Sequence, residues 1–178
     1  LLLMFLSRFS RVDHIQRIAF AGNQITAETF NFLFKAIPEE ASALDFLAVD
    51  SCSLQGVGAY FSEFLGTGAA RNLTSLSLRD CGLTKRDVFL IMDGLDKGIC
   101  AKLATLRLDG NPEIDDDFVV RFLKSYEERQ SLPGLSRLDM GYTQIDAAGV
   151  ELFLKFFKEH STRLQILDLT SINVHSPE

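Results

Sequence analysis

Three groups of residues in this chain are of the types that hold metals or cofactors, and their spacing argues against each role. Asp109-Gly-Asn111-Pro-Glu113-Ile-Asp115 alternates oxygen donors as the opening of a calcium loop does. Such a loop needs Gly at its sixth position and Glu at its twelfth, where this chain has Ile114 and Val120. The run reads instead as a turn followed by a helix start. Gly56-Val-Gly58 follows a strand and opens a helix, as a dinucleotide site does, but Phe61 stands where the third glycine of that fingerprint belongs. A tight strand-to-helix turn explains it. His14, His160 and His175 are scattered over loops and a terminus, which does not suit a shared metal or a catalytic pair. No cofactor and no catalytic residue is implied.

What remains is recognition, and the residues able to perform it are placed by a recurring phrase. Leu73-Thr-Ser-Leu76-Ser-Leu78-Arg-Asp-Cys81-Gly-Leu83 is its clearest copy. Other copies start at Ile15, Leu44, Leu103, Leu135 and Leu164, at steps of 29, 29, 30, 32 and 29 residues. A fixed period of this size means a stacked repeat array. Positions four and six of each copy point to one side of an extended strand, and that side is the core. Position nine turns the chain. Asn23 and Asn111 suit that bend because an amide can bond free backbone groups, and Cys52, Cys81 and Thr143 share the column. Ile172 does not fit it and unsettles the register of the last copy.

A helical pattern follows each strand. Thr26 opens the first, with Phe30, Leu33 and Phe34 at helical spacing. Thr84 with Asp87 resembles a capping box. Asp115 to Asp117 and Asp146 open later ones, where the helix dipole favours acids. Phe32 and Phe156 fall off the main stripes and are read as core filling. One strand and one helix cannot bury their own apolar stripe, so the units stack. Strands sit about 4.8 Å apart and packed helices about 8–10 Å. The stack therefore curves with its strands on the inner wall.

On this phrase and period, matched from Ile15 to Leu169, the chain resembles the leucine-rich repeat proteins, in the subclass with long helical repeats typified by ribonuclease inhibitor. The resemblance implies an α/β right-handed curved solenoid, a horseshoe with parallel strands on the concave face and helices on the convex face. Residues 1–178 form one array of about six repeats. Proteins with such repeats include nucleotide-sensing innate immune receptors, the activator of the Ran GTPase, tropomodulins and actin-regulatory scaffolds.

Composition narrows the partners. The 178 residues are long enough for one sizeable core, and 47% hydrophobic content with fifteen Phe and no Trp fits a packed solenoid in which Phe replaces Leu. A net charge of −6 excludes a general nucleic-acid binder, which needs a basic face. No apolar run reaches the roughly 18 residues of a membrane span. Leu1-Leu-Leu-Met-Phe-Leu6 lacks a positive region before it and a cleavage site after it. It reads as the tail of a helix from an earlier repeat, and with the chain stopping just after a strand, the expectation is a fragment of a longer protein. Three cysteines without framework spacing suggest a reducing compartment, hence a cytoplasmic location. Cys52 and Cys81 share the turn column and read as buried thiols. Asn72-Leu-Thr74 matches a glycosylation acceptor but begins an inner-wall strand, a poor place for a glycan.

Positions three, five and seven should face out of the concave wall. Position five reads Ala19, Ala48, Ser77, Arg107, Asp139, Asp168; position seven reads Ala21, Asp50, Arg79, Asp109, Gly141, Thr170. Equal positions become side neighbours, so Asp50, Arg79 and Asp109 form one row and Arg107 sits beside Asp139. These charges form either a self-compensating ladder or a polar docking strip. Phe46, flanked by Ala19, Ala21 and Ala48, and Tyr142, at position eight, are candidate aromatic anchors. The expected partner is another protein, met by Phe46, Asp50, Arg79, Arg107, Asp109, Asp139 and Tyr142. The function expected is non-catalytic recognition or scaffolding, in signalling or cytoskeletal regulation. The alternatives are acceleration of GTP hydrolysis by a small GTPase, which the resemblance implies, and a purely structural spacer.

Overall fold

The six copies of the phrase fold into six equivalent turns of the chain. In the computed structural model, which describes residues 14–37, 39, 42–129, 132–160 and 162–172, six three-residue strands form one parallel sheet in chain order. They are β1 (Arg17–Ala19), β2 (Phe46–Ala48), β3 (Ser75–Ser77), β4 (Thr105–Arg107), β5 (Arg137–Asp139) and β6 (Ile166–Asp168). The register sets Ile18, Leu47, Leu76, Leu106, Leu138 and Leu167 side by side. β6 pairs in step with β5, so Ile172 does not shift the last copy. Among the described residues a helix follows each of the first five strands: α1 (Ala27–Ala36), α2 (Gly58–Leu65), α3 (Lys85–Leu95), α4 (Asp116–Arg129) and α5 (Ala147–Glu159). The result is a curved solenoid, strands inside and helices outside, as the spacing argument requires. The expected helix tail at Leu1–Leu6 and the terminal His175 lie outside the described residues.

The sequence signals for helix starts correspond to real caps. Thr26 accepts from the N–H of Thr29, and Asp146 from the N–H of Ala148. Thr84 and Asp87 complete a reciprocal capping box. α2 has no side-chain cap of its own at Val57. Its cap comes from the next repeat: Asp87 accepts from the N–H of Gly58 at 2.9 Å and of Gly56 at 3.1 Å. This explains the glycine pair. Gly56 has φ +80°, and a Cβ on Gly58 would lie 2.6 Å from the Asp87 backbone. Burial by itself would raise the Asp87 carboxyl, but the hydrogen bonds from Thr84, Gly58 and Gly56 outweigh it and hold the group below the usual carboxylate range.

The core is continuous from repeat to repeat. Leu47, Leu76, Leu106 and Leu138 are fully buried in one cluster. Phenylalanines fill the helix seams at both ends of the stack. Phe34 meets Phe61 edge-on at 5.0 Å and stacks on Phe64 at 4.3 Å between α1 and α2. Phe122 meets Phe153 at 6.3 Å between α4 and α5. The expectation of core filling holds for Phe156, which is buried against Tyr126. It fails for Phe32, which is exposed: it sits two residues, about 200° of helical rotation, from the buried Phe30.

The turn column stitches neighbours together. Buried Asn111 accepts from the N–H of Cys81 and Leu83, each at 3.1 Å, and donates to the carbonyls of Leu78 and Leu108, each at 2.8 Å. The Cys81 thiol donates to the Val49 carbonyl at 2.9 Å. Cys52 and Cys81 are free and buried, and burial pushes the thiols of Cys81 and Cys100 up to about 12.

Candidate functional site

The inner wall presents the outward positions of six adjacent strands, and the structure confirms their rows. Position three runs Arg17, Phe46, Ser75, Thr105, Arg137, Ile166, and position five lies beside it in the same register. Position seven continues the ladder: the N–H of Ser51 meets the Arg79 carbonyl, and that of Asp80 meets the Asp109 carbonyl. One expectation needs correction. Position five is not an open row, because Ala48, Ser77 and Asp139 are buried. It lies at the middle of the wall, where longer side chains on strands about 4.8 Å away close over short ones.

The charges pair as the rows predict, with one difference in detail. Arg79 Nε donates to Asp109 Oδ2 at 2.6 Å. Asp109 raises the Arg79 guanidinium above its ordinary value. Asp50 does not take the Arg79 guanidinium; it accepts from the Ser77 hydroxyl at 2.6 Å and from the Arg79 backbone N–H at 3.1 Å. Asp139 is clamped from two sides. Arg107 Nε lies 3.2 Å from its Oδ2, and Arg137 Nε donates to both oxygens at 2.9 and 3.0 Å. The Arg107 contact is an ion pair without hydrogen-bond alignment, so Arg107 Nε stays unpaired, as does Asp109 Oδ1, both buried. Asp168 turns to its own loop, accepting from the N–H and hydroxyl of Thr170, which hold its carboxyl below the usual range. Arg137 was not singled out by sequence reasoning. Its signal was legible: Arg137-Leu-Asp139 places opposite charges two apart, on one face of a strand.

The two aromatic candidates differ. Phe46 is half-buried, with the Arg17 guanidinium 4.2 Å from its ring centre. It is therefore one half of a cation–π pair rather than the middle of a bare apolar patch. Tyr142 is 61% exposed. It also sits in a column with an unusual backbone. Position eight is left-handed in every repeat: Gly22, Ser51, Asp80, Gly110, Tyr142 and Ser171 all have φ between +51° and +74°. Glycine and short polar residues tolerate that geometry, whereas a bulky side chain is strained there, at a cost on the order of 1 kcal/mol. Tyr142 is the only large residue in the column, and its ring buries little in return.

Elsewhere the helices carry ion-pair networks that the sequence did not announce. Arg121 bonds Asp93 and Asp96, each at 2.7 Å. Lys85 lies between Asp115 at 2.8 Å and Asp117 at 2.5 Å. Asp115 also accepts from the N–H of Asp117 at 3.1 Å, so the acid run serves as turn and helix start. A cleft of about 350 Å³ opens between the C-terminal ends of α4 and α5, lined by Tyr126, Phe156, His160 and Arg163. There His160 Nε2 lies 3.0 Å from Glu127. Among the described residues no cluster of three His, Cys, Asp or Glu could hold a metal ion, and no helix is long and apolar enough to cross a membrane.

Comparison with known proteins agrees with this geometry. A family model described as "Leucine Rich repeat" matches residues 69–92. No curated protein matches the chain. The fold is similar to the tropomodulin C-terminal domain of Caenorhabditis elegans, with TM-score 0.63, 11% identity, and coverage of 88% of this chain and 90% of that one. It is also similar to an internalin of Listeria monocytogenes, with TM-score 0.52, 13% identity, and coverage of 93% of this chain and 44% of that one. At these identities the likeness speaks for the fold. The chain is a leucine-rich-repeat-like array of the parallel-strand solenoid type.

Proposed function

We propose that the concave wall docks another protein and that the chain acts as a non-catalytic recognition module or scaffold. Tyr142 supports this reading most: a large, exposed ring is kept in strained backbone where every equivalent repeat has a small residue. Strain without a packing return points to use by something outside the chain. Phe46 and the paired charges of Arg79, Asp109, Arg107 and Asp139 supply a second anchor and a polar register around it, and Asp50 fixes the neighbouring turn. A rigid solenoid has little to order on association, so such a surface needs few anchors. Repeats of 29 to 32 residues, each with a full helix, support the long helical subclass typified by ribonuclease inhibitor. Free, buried thiols support a reducing cellular compartment, where we place the module in signalling or cytoskeletal regulation.

The experiment separates strain from binding. Tyr142→Gly relieves the left-handed strain, so unfolding in urea should show a stability gain of about 1 kcal/mol, while affinity for a confirmed partner falls. Phe46→Asp combined with Arg79→Glu should abolish that binding with the circular dichroism spectrum unchanged. A loss of stability in Tyr142→Gly, or full binding by the double variant, overturns the concave-wall reading.

A further inference from the structure

We propose that Arg79, Arg107 and Arg137 form a receptor for carboxylates, and that the segment docking on the concave wall is an extended acidic peptide with its acids at alternate positions. The proposal rests on the concave-wall reading and adds the chemistry of the ligand.

The three arginines share one arrangement. Each sets its Nε beside a carboxylate of the chain: Arg79 and Arg137 donate to Asp109 and Asp139, and Arg107 lies 3.2 Å from Asp139 as an ion pair without hydrogen-bond alignment. None of their terminal nitrogens has an acceptor among the described residues, and the side chains are 46%, 38% and 34% exposed. The wall's own carboxylates are engaged by the chain itself, Asp50 by Ser77 and Asp168 by Thr170. What remains is therefore an excess of part-exposed guanidinium N–H donors, with Arg79 and Arg137 held in orientation by their Nε hydrogen bonds and Arg107 by its ion pair. A guanidinium offers those donors as a planar fork that matches a carboxylate, which an ammonium cannot do. No lysine occupies positions three, five or seven of the wall; its cations are all arginine.

Their placement selects an extended ligand. Arg79 is at position seven beside β3, Arg107 at position five on β4, and Arg137 at position three on β5. Each step crosses one strand of the parallel sheet and moves back two residues, a diagonal of about 8 Å. Alternate side chains on one face of an extended peptide are about 6.7 Å apart, a difference that long arginine side chains absorb. The charge of the ligand is also bounded. The three guanidiniums are balanced by Asp109, Asp139 and Asp168 around them. A singly charged carboxylate suits that setting better than a dianionic phosphate, whose second charge would face those acids.

The test uses the chain labelled with ¹⁵N and a capped Glu-Ser-Glu-Ser-Glu peptide, at low salt. Amide shifts should move together over residues 75–79, 105–109 and 137–142. The Lys-Ser-Lys-Ser-Lys peptide should leave them in place, and a Glu-Glu-Glu-Ser-Ser peptide should bind more weakly. R107K/R137K keeps the charge beside Asp139 but removes the forks, and should weaken binding about tenfold. If that variant loses its fold, Arg79→Lys, at the most exposed of the three, should weaken binding instead. Absent or displaced shifts, equal binding by the lysine variants, or tighter binding of the phosphoserine counterpart would each overturn the receptor. If they do so while Phe46→Asp with Arg79→Glu still abolishes binding of a confirmed partner, the receptor falls and the docking wall stands.

Discussion

Repeats five and six carry the same phrase and have different fates. Leu135, Leu138 and Met140 are fully buried, whereas Leu164, Leu167 and Leu169, in the same three columns, are only partly covered. The helices show the contrast more sharply. Phe122 and Phe153 face each other across α4 and α5, and the leucine after each is its repeat's counterpart of the other. Leu123 is 8% exposed; Leu154 is 65% exposed. What differs is that, among the described residues, no further repeat packs against the outer side of repeat six. In a solenoid a residue's burial is supplied by the next repeat, so one sequence phrase does not correspond to one energy.

The sharpest way to break this comparison is to truncate matched leucines. Leu138→Ala should destabilise the chain by about 3 kcal/mol, since it removes the three outer carbons of the side chain from a filled site and leaves a cavity. Leu167→Ala, its lateral partner in the sheet, should cost less than half as much. Urea unfolding of the two variants measures both. Equal losses would mean that stability is set by the phrase and not by the neighbours.

The turn column gives a second pair. Asn111→Ala strips four backbone groups of their partner inside the core, with an expected loss of about 2–3 kcal/mol by thermal unfolding. Asn23, in the same column of the first repeat, is exposed and donates to the Ala21 carbonyl. Asn23→Ala should stay within about 0.5 kcal/mol.

The smallest effect sharpens the role of Asp87, whose carboxylate joins repeat three to repeat two. Its folded-state pKa is depressed, so its stabilisation is present above the ordinary carboxylate pKa and is lost as pH falls through that value toward the folded one. Asp87→Asn should cost about 1–2 kcal/mol at pH 7. The gap to the parent chain should then narrow below about pH 4. A gap that persists unchanged at pH 3 would mean that the charge is not what joins the repeats.

Much of the candidate site was legible before any coordinates. A period near thirty with alternating apolar positions fixes strand register, and register fixes which charges become neighbours. Arg79 beside Asp109 and Arg107 beside Asp139 followed from that alone. Distances across the helical layer were not legible, because no comparable register ties helix to helix. The Arg121 network with Asp93 and Asp96 spans 28 and 25 residues of chain with no shared motif position to announce it. The cover over position five, the ring of Phe46 beneath Arg17, and the Nε contacts of the arginines depend on side-chain directions that spacing leaves free.

By itself the sequence determined the repeat, its strand and helix, the caps, and the rows on the inner wall. All of these follow from short-range stereochemistry and the two-residue and 3.6-residue periods. Only the tertiary structure decided which copies of a residue are covered, that α2 takes its cap from the following repeat, that Tyr142 is held in left-handed backbone with its ring in solvent, and that three part-exposed guanidiniums keep terminal nitrogens without an acceptor among the described residues. These depend on contacts between residues some thirty positions apart, and such contacts exist only once the repeats have stacked.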